Sequence, residues 1–143
     1  MNIARKIITS VEDATALHCY YGTMESINEQ VSSKGLPCAF FSLLANSTIQ
    51  EGVGTISETY TLTMSFARLT EFDFDSVENE DIIDQCRRDA FNWLAYLRAG
   101  SADFVSGNIT ASGRLYEELD DIVTGYYLTL NITTLPQCLS TKS

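Results

Sequence analysis

Apolar residues follow two periods along the chain. From Tyr60 to Leu69 ("YTLTMSFARL") the alternation is strict: Tyr60, Leu62, Met64 and Phe66 point one way, and Thr61, Thr63, Ser65 and Ala67 the other. A period of two marks a half-buried strand. In "DIIDQCRRDAFNWLAYL" the apolar positions Ile82, Ile83, Cys86, Ala90, Trp93, Leu94 and Leu97 recur every three or four residues, the stripe of an amphipathic helix. Its ends are marked too. Asp75 or Ser76 stands where an N-cap belongs, Glu78, Glu80 and Asp81 crowd the first turns, Arg98 lies in the last and Gly100 follows. These signals predict a long helix over about 77–99.

The same reading extends to both ends of the chain. "NIARKIITSVEDATAL" spaces Ile3, Ile7, Val11 and Ala14 as a helix does, and "GTMESINEQVSS" does so with Met24, Ile27 and Val31 before a stop at Lys34 and Gly35. "CAFFSLL", Cys38 to Leu44, is a continuous apolar run and reads as a strand buried on both faces. The polar "ANSTIQEGVGTISE", with Gly52 and Gly54, predicts a long loop or a flexible hairpin arm over 45–58. "DFVSGNITASGRLYEEL" predicts a strand from Phe104 to about Tyr116, bulged near Gly107 or Gly113. "IVTGYYLTLNITT" predicts another, with Ile122, Thr124, Tyr126, Leu128, Leu130 and Ile132 on one face. The expected architecture is α+β: helices, then β-β-α-β-β, forming a mostly antiparallel four-stranded sheet with the helices packed on one face. It spans residues 1–134 as one domain, and 135–143 reads as a flexible tail.

Composition narrows the function classes. The 143 residues suffice for one core, and 45% hydrophobic with 20% charged residues is an ordinary globular balance. The formal charge of -10, from 19 acidic against 9 basic residues, repels phosphate backbones and anionic membrane surfaces, which disfavours nucleic-acid binding. Near the start, Glu12 and Asp13 interrupt the apolar run after Arg5 and Lys6, so no secretory core is read there. No stretch nears the ~18 consecutive apolar residues of a membrane span, and a cytoplasmic protein is expected. The cysteines Cys19, Cys38, Cys86 and Cys138 are scattered, with neither a zinc spacing nor a disulfide framework. The sequons at Asn46, Asn108 and Asn131 carry little meaning without an export signal.

Candidate chemistry is sparse. Cys86 sits beside Arg87 and Arg88 but belongs to the apolar stripe, so it reads as packing rather than as an activated nucleophile. His18 is the one histidine, and its neighbour Cys19 points elsewhere on any regular element. Asp73 and Asp75 read as charge at a helix start, and Glu117, Glu118, Asp120 and Asp121 as a solvated turn; neither run has the spacing of a calcium loop. Phosphate-loop, dinucleotide and nucleophile-elbow motifs are missing. No catalytic, cofactor or metal site is expected. Interface anchors are the better candidates: Ile49, Val53 and Ile56 in a polar arm with little local core, and Tyr126 and Tyr127, one of which must face away from the helices.

The order of these segments resembles a known group. A helix, "LPCAFFSLL", a long arm, "YTLTMSFARL", the acidic lead "EFDFDSVEN" into the long helix, and a closing pair of strands through "RLYEELDDIVTGYYLTLNI" is similar to small neck and tail proteins of tailed bacteriophages. The nearest are tail-terminator, tail-completion and head-to-tail joining proteins, as in phages of gut Bacteroidetes, including crAss-like ones. The resemblance rests on element order over residues 1–134 and carries no catalytic residues. It implies a non-enzymatic virion protein, present in the host cytoplasm during assembly, that forms a homo-oligomeric ring with other neck or tail proteins and lets DNA pass without binding it. It also implies that the arm over 46–58 reaches a neighbouring subunit or the channel and that sheet edges pair between subunits. The alternatives are a monomeric bacterial module that binds a protein or ligand on its sheet, and a small enzyme centred on Cys86 or on His18 and Cys19.

Overall fold

The computed structural model describes residues 2–116 and 123–139. In chain order the elements are α1 (Ile3–Thr15), β1 (His18–Gly22), α2 (Met24–Lys34), β2 (Cys38–Ser42), β3 (Ser47–Gly52), β4 (Thr55–Leu69), α3 (Val77–Arg98), β5 (Phe104–Tyr116), β6 (Val123–Thr134) and β7 (Gln137–Cys138). The fold is α+β, built on one mixed sheet in the order β1-β2-β4-β6-β5, with β3 and β7 also paired to β4.

The expected long elements form where periodicity placed them. Ser76 is the N-cap of α3, and its side chain accepts a hydrogen bond from the Asn79 amide at 3.1 Å. Ile82, Ile83, Cys86, Ala90, Trp93 and Leu97 are buried on one stripe of that helix. The even-numbered β4 residues Leu62, Met64 and Phe66 meet them, together with Leu128, Leu130 and Ile132 of β6. Helix α1 closes this core with Ile7 and Val11 and is started by Asn2, whose Oδ1 accepts from the Arg5 amide at 2.9 Å. Trp93 is wholly buried, and its Nε1 donates to Ser10 Oγ at 2.9 Å while Ser10 donates to the Ile7 carbonyl at 2.6 Å. The indole thereby keeps a partner for its one polar group in the core.

Three expectations about the sheet are corrected. It has seven strands among the described residues rather than four. A parallel pair stands at one edge of the otherwise antiparallel sheet, since β1 runs alongside β2 from His18↔Cys38 to Gly22↔Ser42. Parallel neighbours need a crossover, and α2 supplies it. That helix packs Ile27 and Val31 on Tyr20, Cys38, Phe40 and Ala67, whereas Cys19, Ala39, Phe41 and Phe66 belong to the core under α1 and α3. Adjacent strand residues face opposite sides, so helices cover both faces rather than one. Sequence reading passed over β1 because its five residues mix an exposed His18 with a buried Tyr20 and a half-buried Tyr21 and show neither period.

The remaining differences are local. β5 has the expected bounds, with register shifts between Ser106 and Ile109 and between Ile109 and Ala111, while Gly113 pairs regularly with Tyr127. The predicted polar stretch is a hairpin: β3 and the first half of β4 pair from Ser47↔Tyr60 to Gly52↔Thr55 around a two-residue turn. In the segment expected to be loose, Gln137 and Cys138 pair with Ile56 and Thr55 of that hairpin. Ile122 and the acidic run at Glu117, Glu118, Asp120 and Asp121 lie outside the described residues.

One close approach sets the spacing of the central strands. A Cβ on Gly125 would lie 2.2 Å from the Phe66 carbonyl oxygen. Backbone cannot yield there without parting β4 from β6, so Gly125→Ala is expected to destabilise the fold by about 2–3 kcal/mol. Trp93→Ala is expected to cost about 3–5 kcal/mol. Chemical denaturation followed by far-UV circular dichroism measures both; a Gly125→Ala midpoint equal to that of the unaltered chain contradicts the packing described.

Candidate interaction surfaces

The hairpin β3–β4 projects beyond the helices. All six residues of β3 are exposed, and the first six of β4 are half-buried. Its turn is Val53-Gly54; Gly54 takes a φ of +71°, a left-handed conformation that glycine adopts without steric cost. Register places Ile49 opposite Glu58 and Ile56 opposite Glu51, on the side of the strand that carries Tyr60, Leu62 and Met64 further along. The core-facing side of the sheet thus runs out past its cover, leaving Ile49 at 57% exposure and Val53, at the tip, at 104%.

The far edge of the hairpin is braced by the end of the chain. Besides the β7 pairs, the Leu139 amide donates to the Gly54 carbonyl at 2.8 Å, and the Glu58 amide donates to Thr134 Oγ1 at 2.9 Å. The tip is therefore three strands wide, β3-β4-β7, and Leu139 adds a further exposed apolar side chain beside Val53. Sequence reading did not find Leu139, because nothing local to "LPQCLSTKS" tells that it pairs with residues some eighty positions earlier.

The two tyrosines part as strand geometry requires. Tyr126 lies under α3, edge-on to Phe91 with ring centres 6.3 Å apart and with the Arg87 guanidinium 5.3 Å from its ring centre. Tyr127 lies on the opposite side, its ring across Gly113, where an added Cβ would meet the hydroxyl oxygen at 2.9 Å and the ring at 3.0–3.1 Å. Next to it runs a ladder of polar pairs between β4 and β6: Thr59 with Thr133 at 2.9 Å, Thr61 with Asn131 at 3.0 Å and Thr63 with Thr129 at 2.8 Å. The helix α2 covers the β1–β2 end of this side, and Thr61, Thr63 and Asn131 of the ladder are exposed. Of the five interface candidates, the hairpin collects Ile49, Val53 and Ile56, Tyr127 lies on the open side of the sheet, and Tyr126 is engaged within the chain.

The groups considered for catalysis lie apart. Cys86 is fully buried, its Sγ 3.7 Å from the Thr124 carbonyl, and burial pushes its thiol up to about 12 despite the nearby Arg68. Burial raises Cys38 to about 12 as well. Cys19 is pushed well above the usual thiol range by burial, with Glu12 adding to the effect. His18 is exposed and stacks on Tyr20, while Cys19 points into the core on the other side of β1, so the two form no dyad. Among the described residues, no three His, Cys, Asp or Glu are grouped to hold a metal ion, and no helix is long and apolar enough to cross a membrane.

No protein-family model matches the chain, and no curated protein matches it significantly.

Thiol reactivity checks this arrangement. Only thiolate attacks a disulfide reagent, and Cys138 alone among the four cysteines is exposed. A chromogenic disulfide at pH 7.5 is expected to titrate one thiol per folded chain and four after denaturation; rapid modification of Cys86 in the folded protein contradicts its place in the core.

Proposed function

We propose that the protein is a non-enzymatic virion component, a ring-forming adaptor of the bacteriophage neck or tail in which the β3–β4 hairpin of each copy engages its neighbour. The observation that carries this reading is the hairpin itself: a paired, braced projection that exposes Ile49, Val53 and Leu139 with no core of its own. Apolar side chains held on a rigid projection, rather than scattered over a surface, suit contact with another chain. β3 pairs only with β4 among the described residues, so its outer edge offers backbone donors and acceptors to a further strand. The charge of -10 suits a ring through which DNA passes without adhering.

A second reading, a monomeric bacterial module that binds a protein or ligand on its sheet, is favoured by the open Thr–Asn ladder beside Tyr127. The two readings make different use of the arm. On the first, the protein forms closed rings visible by negative-stain electron microscopy and sized by light scattering, and Ile49→Glu with Val53→Asp leaves a folded monomer of unchanged melting temperature. A chain that stays monomeric at every concentration, or rings that survive the double substitution, would overturn it in favour of the second.

A further inference from the structure

At the end of β4 remote from the hairpin, three segments separated in sequence enclose a cleft of about 380 Å³. Leu36 and Pro37 come from the approach to β2, Leu69 and Phe72 from the exit of β4, and Ile82 from the second turn of α3. Leu69 and Phe72 are exposed at 53% and 46%, large apolar side chains turned to solvent within one concavity. Around them stand Glu71, Glu78 and Asp81, all exposed and none in an ion pair among the described residues. The one cation at the cleft, Arg68, is held by Asp89 at 2.8 Å and does not offset them.

Local structure explains part of this. Carboxylates in the first turns of a helix are favoured by its dipole, which accounts for Glu78 and contributes at Asp81. It accounts neither for Glu71, which precedes the helix, nor for the exposure of Leu69 and Phe72. Elsewhere on α3 the acidic groups are matched, since Glu80 meets Arg114 at 2.8 Å and Asp84 meets Arg88 at 2.6 Å. What the cleft lacks is a partner that is apolar along its length and cationic at its end.

We propose that this cleft docks a segment of another protein that presents a lysine or arginine next to a large apolar side chain. The volume falls within the ~300–1,000 Å³ usual for binding sites. Lys and Arg lay an apolar stem along such a floor and carry the charge to the rim, where the three carboxylates lie. An acidic or phosphorylated segment is rejected by the same charges. The site is separate from the hairpin, and it stands whether or not the hairpin builds rings.

The test is selection of a random peptide library displayed on phage against the purified full chain, with the selected peptides then synthesised and titrated. Enrichment of Lys or Arg beside Leu, Phe or another large apolar residue is expected. Affinity should fall roughly tenfold with Glu78→Gln and Asp81→Asn together, and also with added salt, because attraction between exposed charges is screened by ions. Phe72→Ala, which alters no charge, should weaken binding without that change in salt dependence. Amide shifts in the NMR spectrum should map to Leu36, 69–72 and 78–85. Selected peptides without basic residues, equal affinity for the charge-neutralised chain, shifts confined to other surfaces, or no enrichment would each overturn the proposal; melting temperatures near that of the unaltered chain exclude misfolding as the cause.

Discussion

The structure depends on one strand that is paired along both edges. Over its 15 residues β4 meets β3 and β2 on one side and β7 and β6 on the other. Such a strand cannot slip, since a shift of one residue would carry Leu62, Met64 and Phe66 to the opposite side and bring the threonines into the core. Its two halves then take different roles. The C-terminal half lies beneath α3 and α1, and the N-terminal half leaves that cover and becomes the hairpin.

Polar contacts fix how α3 lies on this strand. Asn79 and Thr124 are both fully buried; Thr124 Oγ1 donates to Asn79 Oδ1 at 3.0 Å and shares a hydrogen bond with Thr70 at 2.8 Å. This trio ties the first turn of the helix to β6 and to the exit of β4. Further along the helix, Arg68 of β4 holds Asp89, and further still Trp93 reaches Ser10 of α1. Asn79, Thr124, Ser10 and Trp93 are buried with satisfied polar partners, and such groups specify one arrangement where apolar contact alone would admit several. The apolar stripe of α3 provides most of the affinity for the sheet, and these contacts select its position along it.

Long elements with one dominant period were legible in the sequence, whereas short or borrowed ones were not. α3, the second half of β4 and β6 each repeat their pattern often enough to stand out, and the cap of α3 could be read to within one residue, Asp75 or Ser76. β1 is too short to show a period, and β7, of two residues, owes its conformation to the distant Thr55 and Ile56. The hairpin candidates Ile49, Val53 and Ile56 were visible as apolar residues in a polar, glycine-bearing run. That the Thr61 side forms a ladder with Asn131, and that Tyr126 lies beneath Arg87, depends on the register of β6, which no local pattern states. The cleft is still less visible, because its walls come from three segments whose meeting is a property of the whole topology.

The pairing of β7 with the hairpin has a consequence for how the arm can move. Leu139 leaves the fold against Gly54, within the hairpin turn. A hairpin held on this edge near its turn moves together with β7, so the tip shifts only as residues 137–139 shift with it. Residues 137–139 thus act as a stay for the arm, and changes that free them loosen the tip without touching Ile49 or Val53.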